Sequence, residues 1–360
     1  MTTPGAPIGM LAELTHRCPL KCGYCSNPLE LLRRDRELST SEWLDLLEQA
    51  EALGVLQVHL SGGEPAARAD LEEIVACCAR LGLYSNLITS GVLVDARRLE
   101  RLCDAGLDHV QLSLQHVDPD KADAIAGFRG AHARKLDFAK EVVRLGLPLT
   151  INAVIHRMNI DAIPALAARA VEMGAGRLEI AHVQYHGWAW RNRAALLPSR
   201  AEAMEAAEVT AALQEFYRGK LVIDSVPCDY HARIPKPCMG GWGSRVLNVT
   251  PEGKVLPCHA AETIPGLSFW TVRDHSLAEI WANSPAFAAY RGLDWMVEPC
   301  ASCAVKETCR GGCRCQALAL TGNPAEADPV CERSPRHPAF VQAVEALTVD
   351  TPPPVLHRQY

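Results

Sequence analysis

The stretch "MLAELTHRCPLKCGYCSN" (residues 10–27) decides the fold. Met10–Leu14 is a short apolar run that reads as a strand, and it leads at once into a loop holding Cys18, Cys22 and Cys25. Three thiolates in one loop suit a metal centre with one coordination position left open, whereas two pairs would suit a zinc site. The next cysteines, Cys77 and Cys78, fall on a predicted helix far along the chain and read as small core residues, as does Cys103.

Beyond this loop, strand and helix patterns alternate. Ser39 and Glu42 form a capping box ahead of a helix whose face is Trp43, Leu46, Leu47, Ala50 and Leu53. Val55–Leu60 reads as a strand, and Asp70 as the cap of a helix carrying Leu71, Ile74, Val75 and Cys78 and ended by Gly82. Further strands are expected at Leu83–Ile88, His109–Leu114, Leu149–Ile155 and Arg177–Val183, with a helix at Asp95–Cys103. These make six strand-then-helix units, too few for a full eightfold barrel. The expected fold is therefore α/β: an open, partial (β/α)6 TIM-like barrel, with reactive groups at the C-terminal ends of its strands. The cysteine loop follows the first strand, where that rule places it.

After about residue 224 Gly, Pro and Cys become frequent, and long helical patterns are lost until a helix near Pro338–Leu347. The expected organisation is a barrel over 1–220, a Cys-rich domain over 221–337, and a helix and tail over 338–360. The tail, "DTPPPVLHRQY", is expected to be loosely held.

The 360 residues are 48% apolar and 22% charged, with a net charge of −6. That balance argues against a nucleic-acid partner. The opening "MTTPGAPIGMLAEL" lacks the pattern of a signal peptide, and no run reaches transmembrane length, so no membrane association and a cytoplasmic location are expected. The 15 cysteines are clustered, which in a reducing compartment points to metal or redox chemistry rather than a disulfide framework.

A second motif stands after the second predicted strand: Ser61-Gly62-Gly63-Glu64-Pro65. Its glycines allow close backbone approach to a ligand, and Glu64 offers a carboxylate to an ammonium. Cys18-x3-Cys22-x2-Cys25, with Tyr24 before the third cysteine, followed by this motif, resembles the radical S-adenosylmethionine (SAM) family. The resemblance implies a [4Fe–4S] cluster whose open iron binds SAM. It places the SAM methionine against Gly62, Gly63, Glu64 and Pro65. It also suggests Ser113, Gln115 and Arg129 for the carboxylate and ribose, and Asn152 for a ribose hydroxyl.

The later cysteines, Cys238, Gly253-x4-Cys258, Cys300-x2-Cys303-x5-Cys309-x3-Cys313 and Cys331, resemble the seven-cysteine SPASM domain of radical SAM peptide-modifying enzymes. The resemblance implies two auxiliary iron–sulfur clusters. Cys300, Cys303, Cys309 and Cys331 form one set; Cys238, Cys258 and Cys313 belong to the other. Cys315 is the natural fourth member of the second set and Cys228 the runner-up, and either [2Fe–2S] or [4Fe–4S] fits it. Two interleaved zinc sites are the bland alternative.

"LAELTHRCPLKCGYCSNPLEL", "RLEIAHVQYHGW" and "PKPCMGGWG" resemble the PqqE family of pyrroloquinoline quinone biosynthesis. That resemblance implies a carbon–carbon crosslink between Glu and Tyr side chains of the precursor peptide PqqA, with the peptide chaperone PqqD and an external reductant as partners. Some relatives carry a carboxylate where this chain has Cys309. Gln184, Tyr185, His186 and Trp188, after the sixth strand, are candidate substrate contacts at the catalytic face. The alternatives are another SPASM peptide modifier, sulfatase-maturing or thioether-forming, and a multi-cluster electron carrier.

Overall fold

The computed structural model describes residues 5–348 and 351–358, so residues 1–4 of the opening stretch and 349, 350, 359 and 360 around the tail lie outside it. The six expected strands form as β1 (Gly9–Thr15), β2 (Gln57–Gly62), β3 (Tyr84–Thr89), β4 (His109–Ser113), β5 (Leu149–Ile155) and β6 (Arg177–His182). The helices between and after them are α1 (Thr40–Leu53), α2 (Leu71–Leu81), α3 (Ala96–Asp104), α4 (Pro119–Ala126), α5 (Ala131–Arg144), α6 (Ile163–Glu172), α7 (Gly187–Arg191), α8 (Arg193–Leu196) and α9 (Arg200–Phe216).

Local chemistry sets these boundaries. Ser39 Oγ accepts from Glu42 N while the Glu42 carboxylate accepts from Ser39 N, so the capping box that starts α1 is complete. Trp43, Leu46, Leu47 and Ala50 then face the core. Asp70 differs from its expected capping role. Its carboxylate accepts from Arg68 and from Thr40 Oγ1 instead, because a charge-assisted fork two residues away outcompetes a neutral N–H.

The strands run parallel, with neighbouring strands in the order β6-β5-β4-β3-β2-β1. The segment after residue 221 extends this sheet at both ends. β7 (Val222–Val226) pairs with β6, and β8 (Val246–Val249) pairs with β1, each in parallel. β9 (Val255–Leu256) adds an antiparallel edge to β8. Among the described residues the sheet thus has nine strands, stays open, and has its first and sixth strands covered. The reason is that an unclosed barrel would otherwise leave two rows of unpaired N–H and C=O groups. The predicted boundary therefore falls just before β7, and the Cys-rich segment is joined to the barrel through the sheet itself.

The buried core fills the space between sheet and helices, with Met10, Leu14, Trp43, Leu60, Ile74, Leu112 and Ile151 among its members. Cys77 and Cys78 are buried in it, as their helical spacing predicts. The later part is less bare of helix than expected: α10 (Leu277–Asn283), α11 (Pro285–Ala288), α12 (Lys306–Cys309) and α13 (Arg314–Thr321) precede α14 (His337–Leu347). No helix among the described residues is long and apolar enough to cross a membrane.

The tail is a second correction. Residues 355–358 lie against the cysteine loop, with Leu356 bonded to Asn192 and Arg358 to the carbonyls of Cys18 and Leu20. Composition gave no sign of this, because the partners are backbone groups far away in the chain.

Candidate functional site

The C-terminal ends of the strands surround a cavity of about 520 Å³. Cys18, Cys22 and Cys25 all line it, as do Tyr24, Gly62, Gly63, Ser113, Gln115, Asn152, Gln184 and Trp188. The loop is held against the second motif by backbone bonds, Gly63 N to Thr15 O at 2.6 Å and Glu64 N to Arg17 O at 2.8 Å. This explains both glycines. A Cβ on Gly62 would stand 2.3 Å from Thr15 O, and one on Gly63 2.5 Å from Arg17 O. Their first use is close approach to the cysteine loop, which leaves the motif's backbone at the cavity wall.

Glu64 differs from its expected role. Its carboxylate is fully buried and accepts from Thr89 Oγ1 (2.6 Å), Ser90 N (2.8 Å), Ala66 N (3.2 Å) and Ser90 Oγ. With those donors already in place, Glu64 fixes the turn, whose next residue Pro65 is also buried, and does not line the cavity. Any polar recognition there falls to the backbone of Ser61, Gly62 and Gly63.

The three thiols sit in a place where a lone thiolate is costly. Burial, then the neighbouring Cys22, pushes Cys18 up to about 12; burial pushes Cys22 and Cys25 up to about 11. Three half-buried thiols facing one cavity match the donor set of an iron–sulfur cluster, whose positive irons would supply the missing counter-charge. Behind them runs a buried chain of hydrogen bonds. Lys135 Nζ donates to Ser113 O (2.9 Å) and Gln115 Oε1 (2.6 Å), and Gln115 Nε2 donates to Tyr24 Oη (2.7 Å). Burial lowers Lys135 to about 8. On the far wall, Glu179 accepts from Asn152 Nδ2 (2.7 Å) and Gln111 Nε2 (2.9 Å).

Three expected residues stand apart. Arg129 is exposed, in the turn between α4 and α5, and does not line the cavity. Tyr185 is turned into a separate apolar cluster, with its ring centroid 4.7 Å from that of Tyr230. The chain leaving β6 turns Gln184 to the cavity and Tyr185 away from it. His186 packs 6.1 Å from the ring of His259, behind the cavity wall, and burial lowers it to about 4. Trp188 stays at the wall, with its backbone N donating to Cys25 O at 2.9 Å.

The later cysteines gather in two groups. In the first, Cys258 Sγ and Cys315 Sγ lie 3.9 Å apart. Cys238 neighbours Cys258 and Cys313, and Cys313 neighbours Cys315, which closes a ring of four thiols. Cys228 is elsewhere, buried beside Tyr185 and Tyr230. In the second group Cys303, Cys309 and Cys331 act on Cys300 through their charges, and Arg333 donates to Cys303 Sγ at 3.1 Å. Among the described residues no three His, Cys, Asp or Glu side chains are spaced to hold a single metal ion.

The cavity also holds residues the sequence reading passed over: Glu13, Glu179, His182, Met239, His259 and Arg358. One signal was available. Lys135 falls on the apolar face of α5 with Ala131, Phe138, Ala139 and Val142, and a charge at such a position marks a special site.

The Radical SAM superfamily model matches residues 12–170, and that of the SPASM iron–sulfur cluster-binding domain matches residues 238–304. A "PqqA peptide cyclase" of Methylorubrum extorquens strain PA1 is 59% identical over 353 residues, 98% of this chain and 92% of that protein. The chain belongs to the PqqA peptide cyclase family. Another member, from Gluconobacter oxydans, is 58% identical over 345 residues, 96% of each chain. Among solved structures, Streptococcus suis SuiB bound to S-adenosylmethionine matches with a TM-score of 0.76 and 21% identity, over 91% of this chain and 78% of that one. SuiB bound to its precursor peptide SuiA gives a TM-score of 0.77 at 22% identity, over 92% and 77%. At that identity the likeness shows the fold: an open parallel-sheet radical SAM domain with a SPASM domain. Family membership makes the chain a radical SAM enzyme with iron–sulfur clusters and SAM as its cofactors.

Proposed function

We propose that this chain joins a glutamate and a tyrosine side chain of the peptide PqqA through a carbon–carbon bond, an early step of pyrroloquinoline quinone biosynthesis. The observation that carries the reading is the single cavity onto which Cys18, Cys22, Cys25 and the Gly62–Gly63 backbone open, in a chain 59% identical to PqqA peptide cyclases. Cys18, Cys22 and Cys25 would hold a [4Fe–4S] cluster, which with SAM bound would supply the hydrogen-atom abstraction that an unactivated glutamate C–H bond requires. Gly62 and Gly63 present backbone groups to the SAM methionine, while Ser113, Gln115 and Asn152, among the polar residues that line the cavity, orient its remaining parts. Tyr24, fixed by Gln115, walls the cofactor side.

The peptide enters from the side of Gln184 and Trp188. His182 lines the cavity, is buried, and has an Nδ1 with no protein partner. Burial lowers it to about 4, so its imidazole is neutral near pH 7 and can take the proton that leaves the tyrosine ring. Cys300, Cys303, Cys309 and Cys331 hold one auxiliary cluster and Cys238, Cys258, Cys313 and Cys315 the other. Two thiolates on one tetrahedral metal with bonds of about 2.3 Å lie about 3.8 Å apart. The 3.9 Å between Cys258 and Cys315 would let these two thiolates share one iron of the cluster there. Met239 and His259, each next to a cysteine of that ring, line the cavity, so a cluster held there would stand near enough to take up the electron left after bond formation.

A PqqD-like chaperone delivers the disordered peptide, and an external reductant supplies the starting electron. The outer edge of β7 supports the partner claim, since an edge strand can accept an added one. The test is an anaerobic reaction of the chain, PqqA, SAM and reductant, with and without PqqD, read by mass spectrometry. A product lighter by two hydrogens and mapped to one Glu and one Tyr is expected. A product at other residues would overturn the substrate claim, and equal yield without PqqD would overturn the partner claim.

A further inference from the structure

The segment 355–358 has no part in the chemistry above, yet it is built into the cysteine loop. Leu356 N donates to Asn192 Oδ1 and Asn192 Nδ2 donates to Leu356 O, both at 2.8 Å. The same Nδ2 also donates to Gly23 O at 2.8 Å, so one side chain ties the segment to the loop. His357 Nδ1 donates to Lys21 O at 2.7 Å. A Cβ on Gly23 would stand 2.2 Å from Val355 Cγ1, so the loop is shaped to this neighbour. Arg358 is 9% exposed, lines the same cavity as the three thiols, and donates to Cys18 O (3.0 Å) and Leu20 O (2.8 Å).

We propose that residues 355–358 form a strap belonging to the Cys18–Cys22–Cys25 centre, in which Arg358 is a positioning residue that fixes the loop and raises the reduction potential of the group the loop holds. Two carbonyls that accept from one guanidinium nitrogen, Arg358 Nη2, fix the path of Cys18-Pro19-Leu20, which sets where the first ligand stands. The charge acts separately. A centre held by three thiolates becomes more negative on taking an electron, and a buried cation beside it favours that state in proportion to its low-dielectric surroundings.

This inference rests on the reading of the loop as a cluster site, and its test separates the two. The wild-type chain, Arg358→Gln and Arg358→Lys are reconstituted anaerobically and titrated redox-wise, following the electron paramagnetic resonance (EPR) signal that SAM perturbs. Unchanged auxiliary signals report that the fold is intact. For Arg358→Gln the reduced-to-oxidised ratio at a fixed potential is expected to fall about tenfold, a shift of about 59 mV for a one-electron couple. Arg358→Lys is expected to recover most of that ratio while losing iron from this site faster than wild type, because its side chain is one bond shorter and its ammonium stops short of the two carbonyls that Arg358 Nη2 reaches. Wild-type potential and iron retention in Arg358→Gln would overturn the strap's role. A wild-type chain with no SAM-responsive signal would overturn the cluster reading beneath it.

Discussion

The cysteine loop and the ring of Cys238, Cys258, Cys313 and Cys315 are both sets of buried or half-buried thiols, and they differ in what stands beside them. All three loop thiols line a cavity, and polar groups from several strands converge on the same space. None of the four ring thiols lines it, and the ring packs with Trp242, Leu256, Ala261 and Ile264 instead. A set of three with an open side can admit a small molecule to its metal, while a closed set of four in an apolar setting can only exchange electrons. The difference in ligand number is thus matched by a difference in access, and access is what separates a reactive centre from a relay.

The largest effect expected is from emptying the open site. Replacing Cys18, Cys22 and Cys25 together with Ala is expected to remove SAM cleavage altogether, with 5′-deoxyadenosine absent on reduction and both auxiliary signals retained. Formation of 5′-deoxyadenosine by that variant would break the contrast between the two regions.

The closed site is sharpened by a pair of variants. Cys315→Ala is expected to change the spectrum of the Cys238 set and leave the Cys300 set untouched. Cys228→Ala is expected to change neither and to cost about 1 kcal/mol in packing, because Cys228 belongs to the cluster around Tyr185 and Tyr230. A changed cluster spectrum in Cys228→Ala would reopen the ligand assignment.

Glu64→Gln probes whether the second motif acts through its carboxylate or its backbone. An amide NH2 would face the N–H and O–H of Ser90 in place of Oε2, or the hydroxyl of Thr89 and the N–H of Ala66 in place of Oε1. A loss of about 1–3 kcal/mol in unfolding free energy is expected from one unsatisfied buried group, seen as a lower denaturant midpoint. Weakened SAM binding at unchanged stability would return Glu64 to the role of a direct ligand.

A smaller effect is set by pH. His156 is lowered to about 3, mainly by burial, while the unfolded chain protonates it near the ordinary 6.5. His182, lowered to about 4, acts in the same direction. Between about pH 6.5 and 4 the unfolded state therefore binds more protons, and stability falls as pH falls. His156→Gln is expected to flatten that slope in denaturant titrations at pH 5 and 7, and an unchanged slope would remove His156 from the account.

Much of this contrast was legible in residue order. The β1–β6 frame followed from alternating periodicity, and the capping box placed the start of α1, because both depend on neighbours a few residues apart. The spacing of Cys18, Cys22 and Cys25 pointed to an open metal site, and Cys313-Arg314-Cys315 marked the fourth ring thiol. What escaped depends on groups far apart in the chain. β7 and β8 join the sheet because its edges need partners, and nothing in Val222–Val226 itself announces which edge. Glu64 reads as a free carboxylate until Thr89 and Ser90 are brought to it. Arg358 reads as part of a loose tail until the carbonyls of Cys18 and Leu20 are seen beneath it. Tyr185 and Gln184 are adjacent, and only the turn after β6 decides which one faces the cavity.

The claim that the open site alone receives the small molecule is tested most directly by EPR of the reduced chain with and without SAM. SAM is expected to shift one signal, which is missing from the Cys18–Cys22–Cys25 triple variant, and to leave the remaining signals unchanged. A SAM-dependent shift that survives in the triple variant would contradict it.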